Sequence, residues 1–312
     1  MVAIQKKLWI NAAAAFPGRE AAKKNFDGGF YRADASVRGV WQQAEDCIGE
    51  RLAQRCFSEK HLPKRLEMAA LLTHCLSIYR FFSSRFGGPS AFLGFSQGEF
   101  TALTAAGVLP FPQVLRLLLR LESRLALPAG EECMYRIVDF PVQQLEKCCL
   151  QADPDGESLC VGAFLSETQN ILSGRKERVL SAAALAKKCG ARWAIRLDGE
   201  RAYHSPLCRR IQEESAEDFA EMQVSAPAAP VYSCVDGMPS EDGNALRDKL
   251  SRQIASPILW QKLIRRLAES GIRELYEFGP GCTVSGNARL ADGRMNCRWI
   301  GRPEDIGEAG TA

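Results

Sequence analysis

Residues 91–100 read AFLGFSQGEF, an apolar run that leads into a serine flanked on each side by a glycine two positions away. The run before Ser96 predicts a β-strand, and the helix formers of residues 98–109, GEFTALTAAGVL, predict a helix directly after it. A sharp strand-to-helix turn exposes the serine hydroxyl and directs the following backbone N–H groups toward it. Gly94 and Gly98 leave room for a strained backbone, so Ser96 is a candidate nucleophile. The alternative is a turn serine that caps the helix.

The chain contains three histidines, and a nucleophilic serine needs a general base within hydrogen-bond reach. His61 lies in the polar stretch EKHLPK and is predicted to be exposed. His74 lies in the apolar stretch AALLTHCLSIY and is predicted to be a core residue. His204 lies in RAYHSPLC, where the chain is predicted to return from a small lobe to a large one, and ligand sites tend to form in such clefts. His204 is therefore the predicted base.

Alternating strand and helix signals on both sides of Ser96 predict a layered α/β sheet. Within the chain the order changes to strand, helix, strand, strand, helix, strand, which is the ferredoxin-like arrangement. We place this small subdomain at residues 129–200. It interrupts a large α/β subdomain that we place at residues 1–128 and 201–312.

Three further segments are predicted from local pattern alone. The spacing of apolar residues predicts helix over residues 39–56 and 205–222. Glycines at the end of the predicted strand ELYEFG favour a turn over residues 279–286, GPGCTVSG.

The composition restricts the class of protein. Apolar residues make up 46% of the chain and charged residues 25%, which is typical of a globular protein. A net charge of +3 is too small to indicate nucleic-acid binding, and no apolar run reaches the ~18 residues that span a bilayer. The twelve cysteines form no CxxC pair, so we expect free thiols in the cytoplasm and no metal site.

Several motifs occur in order over almost the whole chain, namely GFSQGEF followed by AAGVL, then QNILSGRKERV, AYHSPL, RQIASPILW and ELYEFGPGCTVSG. Together they resemble the acyl-CoA:acyl-carrier-protein acyltransferases typified by the malonyl-transferring enzymes of fatty acid and polyketide synthesis. The resemblance implies an α/β-hydrolase-like large subdomain with an inserted ferredoxin-like small subdomain. It also implies a monomer that needs no bound cofactor, with acyl-CoA or acyl-phosphopantetheine as substrate and an acyl carrier protein as partner.

The resemblance further implies a ping-pong cycle on a serine. Ser96, activated by His204, would take an acyl group from a thioester and pass it to a phosphopantetheine thiol. In the family a backbone carbonyl orients the histidine, and that position falls on Gln253. The two backbone N–H groups of the oxyanion hole fall on Gln97 and Arg19.

Three positions depart from the family pattern. Arg19 stands in FPGREAA where the family has glutamine, and Phe95 stands where it usually has histidine. Counting without gaps from Gly107, the family's carboxylate-binding arginine falls on Leu121. Because a guanidinium pairs well with the malonyl carboxylate, its replacement predicts a preference for an uncharged acyl group. Tyr203 and Phe95 are expected to border the acyl pocket with Leu121.

The sequence leaves other functions open. An editing hydrolase would release the acyl group to water, and a malonyl transferase could use Arg124, nearly one turn beyond Leu121, as a substitute arginine. A docking protein without activity is disfavoured because Ser96, Gly98 and His204 are all present. An ordinary α/β-hydrolase esterase is disfavoured because the chain has no HGGG-like loop.

Overall fold

The computed structural model describes residues 11–23, 26–58, 62–126, 131–199 and 201–306, which form two β-sheets and the helices packed on them. The strands are β1 (Ala12–Phe16), β2 (Ala91–Gly94), β3 (Glu132–Val138), β4 (Leu159–Phe164), β5 (Asn170–Arg175), β6 (Trp193–Arg196), β7 (Val231–Tyr232), β8 (Pro239–Ser240), β9 (Glu274–Phe278) and β10 (Asn296–Ile300).

The α-helices lie between and beyond these strands. They are α1 (Gly29–Ala33), α2 (Ala35–Ile48), α3 (Leu52–Ser58), α4 (Glu67–Phe86), α5 (Gly98–Ala105), α6 (Phe111–Leu125), α7 (Val142–Ala152), α8 (Lys176–Lys188), α9 (Arg209–Glu214), α10 (Ala216–Ala220), α11 (Gly243–Arg252), α12 (Trp260–Glu269) and α13 (Thr283–Ala291). Short 3₁₀ turns occur at Arg19–Lys23, Lys64–Leu66, Pro206–Cys208 and Gln253–Ala255. None of the described helices is both long and apolar enough to cross a bilayer.

The large sheet has the strand order β10-β9-β1-β2-β7-β8 and is parallel apart from β8. Its strand β1 reads AAAAF and is buried along its whole length. Ala12 and Ala14 face one apolar core, whereas Ala13 and Ala15 face a second core on the other side. A continuous apolar strand of this kind is expected where helices cover both faces of a parallel sheet.

Aromatic rings join the long helix α4 to the centre of this sheet. The ring of Tyr79 lies 5.8 Å from Phe16 on β1 and 5.7 Å from Phe92 on β2, both edge to face. Phe82 lies 5.3 Å from Phe278 on β9. Contacts of this geometry add to the apolar area that the rings bury. They fix three neighbouring strands close to the point where those strands end.

The small sheet confirms the predicted ferredoxin-like arrangement. Its elements follow the order β3-α7-β4-β5-α8-β6, and its strands lie in the order β4-β5-β3-β6 with every neighbouring pair antiparallel. With the parallel large sheet, it confirms the predicted α/β fold class. The predicted boundary at 128/129 lies outside the described residues, as does Glu200 at the other boundary. The limits of the subdomains therefore stay a prediction.

Both segments predicted to be helical are largely helical, but each is interrupted. The segment 39–56 is broken at Gly49, whose φ of 72° ends α2 in a left-handed conformation that glycine adopts without strain. The segment 205–222 divides into a 3₁₀ turn, α9 and α10. The break falls at Ser215, whose hydroxyl donates to the carbonyl of Ile211 at 2.7 Å, a bond that often bends helices.

The predicted turn over residues 279–286 is also incomplete, because α13 begins within it at Thr283. The buried carboxylate of Glu277, at the end of β9, accepts hydrogen bonds from the N–H groups of Val284 (3.0 Å) and Ser285 (2.8 Å). Helices leave such N-terminal N–H groups without partners in their own backbone, and a negative charge there is stabilising. A contact from the preceding strand thus starts a helix that the local sequence did not predict.

Candidate active site

Strands β1 and β2 end side by side, with Phe16 opposite Gly94. The chain continues from β1 into the loop of Pro17, Gly18 and Arg19, and from β2 into the turn of residues 95–97, which we call the elbow. A Cβ atom on Gly18 would lie only 2.9 Å from the carbonyl oxygen of Phe95. The two loops therefore meet at the carboxyl edge of the sheet, which is where open α/β sheets bind ligands.

Ser96 occupies the tip of the elbow in a left-handed conformation, with φ at 53°. A non-glycine residue rarely adopts this conformation, and it indicates strain that the surroundings enforce. A Cβ on Gly94 would lie 2.0 Å from the carbonyl carbon of Gly98, and one on Gly98 would lie 2.1 Å from the oxygen of Phe16. Both positions flanking Ser96 must therefore be glycine for the helix α5 to approach the strands this closely.

The structure brings Ser96, His204 and Gln253 together. Ser96 Oγ lies 2.7 Å from His204 Nε2, and His204 Nδ1 lies 3.0 Å from the backbone carbonyl oxygen of Gln253. Because a carbonyl oxygen can only accept a hydrogen bond, Nδ1 carries the proton in the neutral ring. Nε2 then presents its lone pair to the Ser96 hydroxyl, as a general base requires.

The main chain around His204 is fixed from two sides. Its N–H donates to the carbonyl of Ile254 at 2.8 Å, within the 3₁₀ turn that also carries Gln253. On the other side, Ser173 on β5 donates to the carbonyl of Tyr203 at 2.5 Å, and Cys160 on β4 contacts the carbonyl of His204 at 3.4 Å. The small sheet thus supports the histidine, and the Ser96–His204 pair lies between the two sheets.

Burial sets the protonation state of this histidine. His204 is 5% exposed, and the loss of hydration lowers its pKa to about 4, although the backbone of Gln253 and Ser256 opposes that fall. The imidazole is therefore neutral at pH 7 and ready to accept a proton. A buried carboxylate partner, which would raise the pKa, is replaced here by a neutral carbonyl oxygen.

The side chain of Gln253 makes a second link that the sequence did not predict. Its Nε2 donates to the carbonyl oxygen of Ser96 at 2.9 Å and to the carboxyl of Glu99 at 2.7 Å. Glu99 is fully buried on α5 and also accepts from the N–H of Cys234 at 3.2 Å. Burial raises the pKa of Glu99, and its hydrogen bonds oppose that rise. One residue thus positions both members of the pair, His204 through its backbone and Ser96 through its side chain.

The two predicted oxyanion donors lie on the loops that meet at the elbow. Gln97 follows Ser96 directly and precedes the first turn of α5, and Arg19 follows Gly18. In the described part of the chain, neither backbone N–H has a protein acceptor. Both are therefore available to a ligand, and a helix N-terminus favours negative charge at that point.

Side-chain charges surround the other end of the site. The Arg19 guanidinium lies 5.4 Å from the ring centre of Tyr203 and forms an ion pair with Glu122 on α6. Glu122 is only 4% exposed, and burial raises its pKa while Arg19 opposes the rise. Glu67 Oε2 lies 3.7 Å from Arg19 Nη1 in a more exposed position. This end of the site thus carries an ion pair, with a buried carboxylate, beside the residue that precedes His204.

The family of this chain follows from its similarity to curated proteins. No protein-family model matches the chain. It is 33% identical over 244 residues to the malonyl CoA-acyl carrier protein transacylase of Escherichia coli (strain K12), an alignment that covers 77% of this chain and 78% of the relative. The chain belongs to the malonyl CoA-acyl carrier protein transacylase family.

Solved structures agree with this transacylase family. An acyl carrier protein S-malonyltransferase from Vibrio cholerae superposes with a TM-score of 0.91 at 26% identity, covering 96% of this chain and 99% of that one. A malonyl-transacylase solved in complex with a type II polyketide synthase acyl carrier protein superposes with a TM-score of 0.90 at 26% identity, covering 96% and 98% of the two chains.

Among the positions considered from sequence, three have side chains that pack in apolar or ionic surroundings. Leu121 is 4% exposed within the core beneath α6. The ring of Phe95 packs edge to face on Trp260 at 5.2 Å in the core on the opposite side of the sheet. Arg124 Nη1 contacts Ser215 Oγ at 3.0 Å and Asp218 Oδ2 at 2.5 Å.

Of the other two histidines, His74 lies within the described residues. His74 is 2% exposed among the rings of Phe26 and Trp41, so the predicted core histidine is confirmed. His61 lies outside the described residues. Among the described residues, no group of three or more His, Cys, Asp or Glu side chains could hold a metal ion.

Proposed function

We propose that this protein is a serine acyltransferase that moves an acyl group from a thioester of CoA or a carrier protein to the phosphopantetheine thiol of an acyl carrier protein. The observation that carries this proposal is the 2.7 Å approach of Ser96 Oγ to His204 Nε2, with Nδ1 held by the Gln253 carbonyl. Membership of the transacylase family supports the same reaction.

In the first half of the proposed cycle, Ser96 Oγ attacks the thioester carbonyl carbon while its proton passes to His204 Nε2. The oxyanion that forms accepts hydrogen bonds from the backbone N–H groups of Gln97 and Arg19. Loss of one such donor typically costs about 10²–10³ in rate. The C–S bond then breaks, Nε2 returns the proton to the departing thiolate, and Ser96 carries the acyl group as an ester.

The second half of the proposed cycle uses the same groups in reverse. A carrier thiol gives its proton to His204 Nε2 and attacks the ester carbonyl, and the proton returns to Ser96 Oγ when the C–O bond breaks. The thioester itself supplies the activation, so the cycle involves no resident cofactor.

We also propose a preference for acyl groups without a charge. Leu121 stands where the family's carboxylate-binding arginine is expected, and it lies buried in an apolar core. Removing one partner of a buried charge pair costs about 2–5 kcal/mol, which corresponds to roughly 30-fold or more in selectivity. A substrate carboxylate at this position would have no arginine to pair with, whereas an uncharged acyl chain would make apolar contacts there.

Intact-protein mass spectrometry tests the proposal. The protein is mixed with a panel of acyl-CoAs, with and without a carrier protein that bears a free phosphopantetheine thiol. We expect the mass of one acyl group on the enzyme, its transfer to the carrier when that is present, and no adduct on Ser96→Ala. An adduct that is released to water in the presence of the carrier would indicate a hydrolase instead.

A further inference from the structure

The ion pair of Arg19 and Glu122 joins the two walls of the site. Glu122 directly follows Leu121 on α6, and its Oε1 accepts from an Nη of Arg19 across 103 residues of sequence. The carboxylate is 4% exposed, so water does little to weaken this pair. The chain thus has a carboxylate beside the expected position of the family's arginine, and an arginine on the opposite loop.

The pair lies next to the reacting groups. Arg19, on the loop that meets the elbow, also carries one of the two backbone N–H groups without a protein acceptor, and its guanidinium stacks over Tyr203 at 5.4 Å. Tyr203 precedes His204, whose Nε2 contacts Ser96 Oγ. An acyl chain that extends from Ser96 toward α6 therefore meets the Arg19–Glu122 pair.

We propose that Glu122 is a specificity-determining residue, because its carboxylate occupies the Arg19 guanidinium and so excludes acyl groups that end in a carboxylate. This inference rests on the proposed acyltransferase function. Glu122 accepts the hydrogen bond from the Arg19 guanidinium that a malonyl carboxylate would otherwise accept. The substrates that fit are acyl groups whose far end is neutral.

Charge repulsion gives the physical reason. A substrate carboxylate that approached Arg19 would have to displace Glu122 or lie beside it, and two carboxylates in a partly desolvated pocket cannot both stay ionised at low cost. Displacement would leave Glu122 buried without its partner, which is strongly unfavourable. A neutral acyl group avoids both costs and leaves the pair intact.

The first test uses the unaltered protein and two thioesters of nearly equal size and shape. Malonyl-CoA ends in a carboxylate, and malonamyl-CoA carries the primary amide in its place. We expect kcat/KM for acylation of Ser96 to be at least about tenfold higher with malonamyl-CoA, since like charges placed together are strongly disfavoured. Equal rates, or a faster reaction with malonyl-CoA, would overturn the inference.

The second test removes the charge of Glu122 while keeping its shape. In Glu122→Gln we expect the ratio of malonyl to malonamyl kcat/KM to rise at least about tenfold, because Arg19 is then free to pair with the substrate. The double variant Arg19→Gln/Glu122→Gln should lose that gain. If the rise in the malonyl-to-malonamyl ratio persisted in the double variant, the Arg19 guanidinium would not be the group that binds the substrate carboxylate, and the inference would be contradicted.

Glu67→Gln is the matched control for this variant. Glu67 also faces Arg19, but at 3.7 Å and with more exposure, so solvent screens it. Its substitution should change the selectivity ratio less than Glu122→Gln does, and an equal change would show that the position of Glu122 has no special effect. Thermal unfolding and acylation by malonamyl-CoA show whether each variant is folded, and the two-thioester comparison on the unaltered protein does not depend on any variant.

The outcomes separate this inference from the function on which it rests. If no thioester acylates Ser96 in the unaltered protein, the proposed acyltransferase function fails. If neutral acyl groups load onto Ser96 but malonyl and malonamyl groups react alike, only the role of Glu122 fails.

Discussion

The two ends of the site are built in different ways. At the reacting end, Ser96 and His204 both have left-handed backbone conformations, with φ of 53° and 60°. At the proposed acyl end, the side chains of Arg19, Glu122 and Tyr203 are joined by an ion pair and a stacking contact. The backbone conformation thus determines the geometry of the reacting end, whereas the identity of the side chains determines the chemistry of the other end.

This difference has a consequence for what substitution can change. The groups that hold the reacting end are mostly main-chain atoms, including the Gln253 carbonyl on Nδ1 and the Ile254 carbonyl that accepts from the N–H of His204. A side-chain change leaves such atoms in place. At the acyl end a single substitution changes the charge that a substrate meets, so specificity can diverge while the reacting groups keep their geometry.

The most damaging change at the reacting end should be one that moves its backbone. In Gly98→Ala the new Cβ would lie 2.1 Å from the carbonyl oxygen of Phe16, and neither backbone segment can yield easily. Displacing reacting atoms by about 1 Å can cost 10²-fold in rate, so we expect at least that loss in kcat/KM for acylation. Single-turnover kinetics with the preferred acyl-CoA measure it.

Gly39→Ala is the matched control for that variant. Gly39 lies exposed within α2, and no atom lies within 4 Å of a Cβ built there. It should leave the rate unchanged and stabilise the protein by up to about 1 kcal/mol, because alanine favours helix. If Gly98→Ala retained full activity, the claim that backbone geometry holds the reacting end would be wrong.

The pH dependence of activity gives a second test of the reacting end. Burial lowers the pKa of His204 to about 4. The ring is the base only when it is neutral, so kcat/KM should stay level from pH 7 down to about pH 5 and fall as the pH drops through 4. An acid limb near the ordinary histidine value of 6.5 would mean that the site is more hydrated than its geometry indicates.

The stability of the protein should also depend on pH, and His74 contributes to that dependence together with His204. Burial lowers the pKa of His74 to about 4 as well. Between pH 6.5 and 4, His74 and His204 are protonated in the unfolded chain but neutral in the folded protein. The free energy of unfolding therefore decreases as the pH falls through that window, by on the order of a few kcal/mol per histidine. His74→Leu should reduce this acid sensitivity without moving the activity profile, as measured by urea unfolding at each pH.

The reacting end could be predicted from sequence because its geometry demands particular residue types. A serine between glycines marks the elbow, and elimination left His204, which is 108 residues away in sequence yet lies in contact with Ser96. The fold class followed from the order of strand and helix signals. In each case a local pattern reflects a backbone constraint.

The acyl end could not be predicted in the same way. Nothing in the local sequence around Glu122 indicates that its carboxylate is buried. Its partner Arg19 lies on a loop that is distant in sequence. The same holds for Glu99, whose buried carboxyl accepts a hydrogen bond from Gln253, and for Glu277, whose carboxylate accepts from the first turn of α13. These contacts depend on tertiary packing, which local spacing does not encode.

Gln253→Ala should separate the two ways in which that residue acts. Its backbone carbonyl on His204 survives the change, but the hydrogen bonds from its side chain to Ser96 and Glu99 are lost. Leaving a buried carboxyl short of a donor costs about 1–3 kcal/mol in stability. We expect kcat to fall only about tenfold, compared with the loss of at least about 10²-fold expected for Gly98→Ala. A loss as large as that of Gly98→Ala would show that the side chain, too, is essential to the reacting end.

The smallest effect is expected from Arg124→Gln, which tests whether the acyl end has a second arginine. Arg124 binds Asp218 and Ser215 on the α10 side of α6, and Asp218 keeps a contact with Arg120 Nε at 2.9 Å when Arg124 is removed. Partly exposed pairs contribute about 1 kcal/mol or less, so stability should change little. The ratio of malonyl to neutral acylation should shift by less than about twofold, because this guanidinium already has a carboxylate partner away from Arg19. A selective tenfold loss of malonyl acylation would instead assign Arg124 to the pocket, and specificity would then depend on α6 from both sides of Leu121.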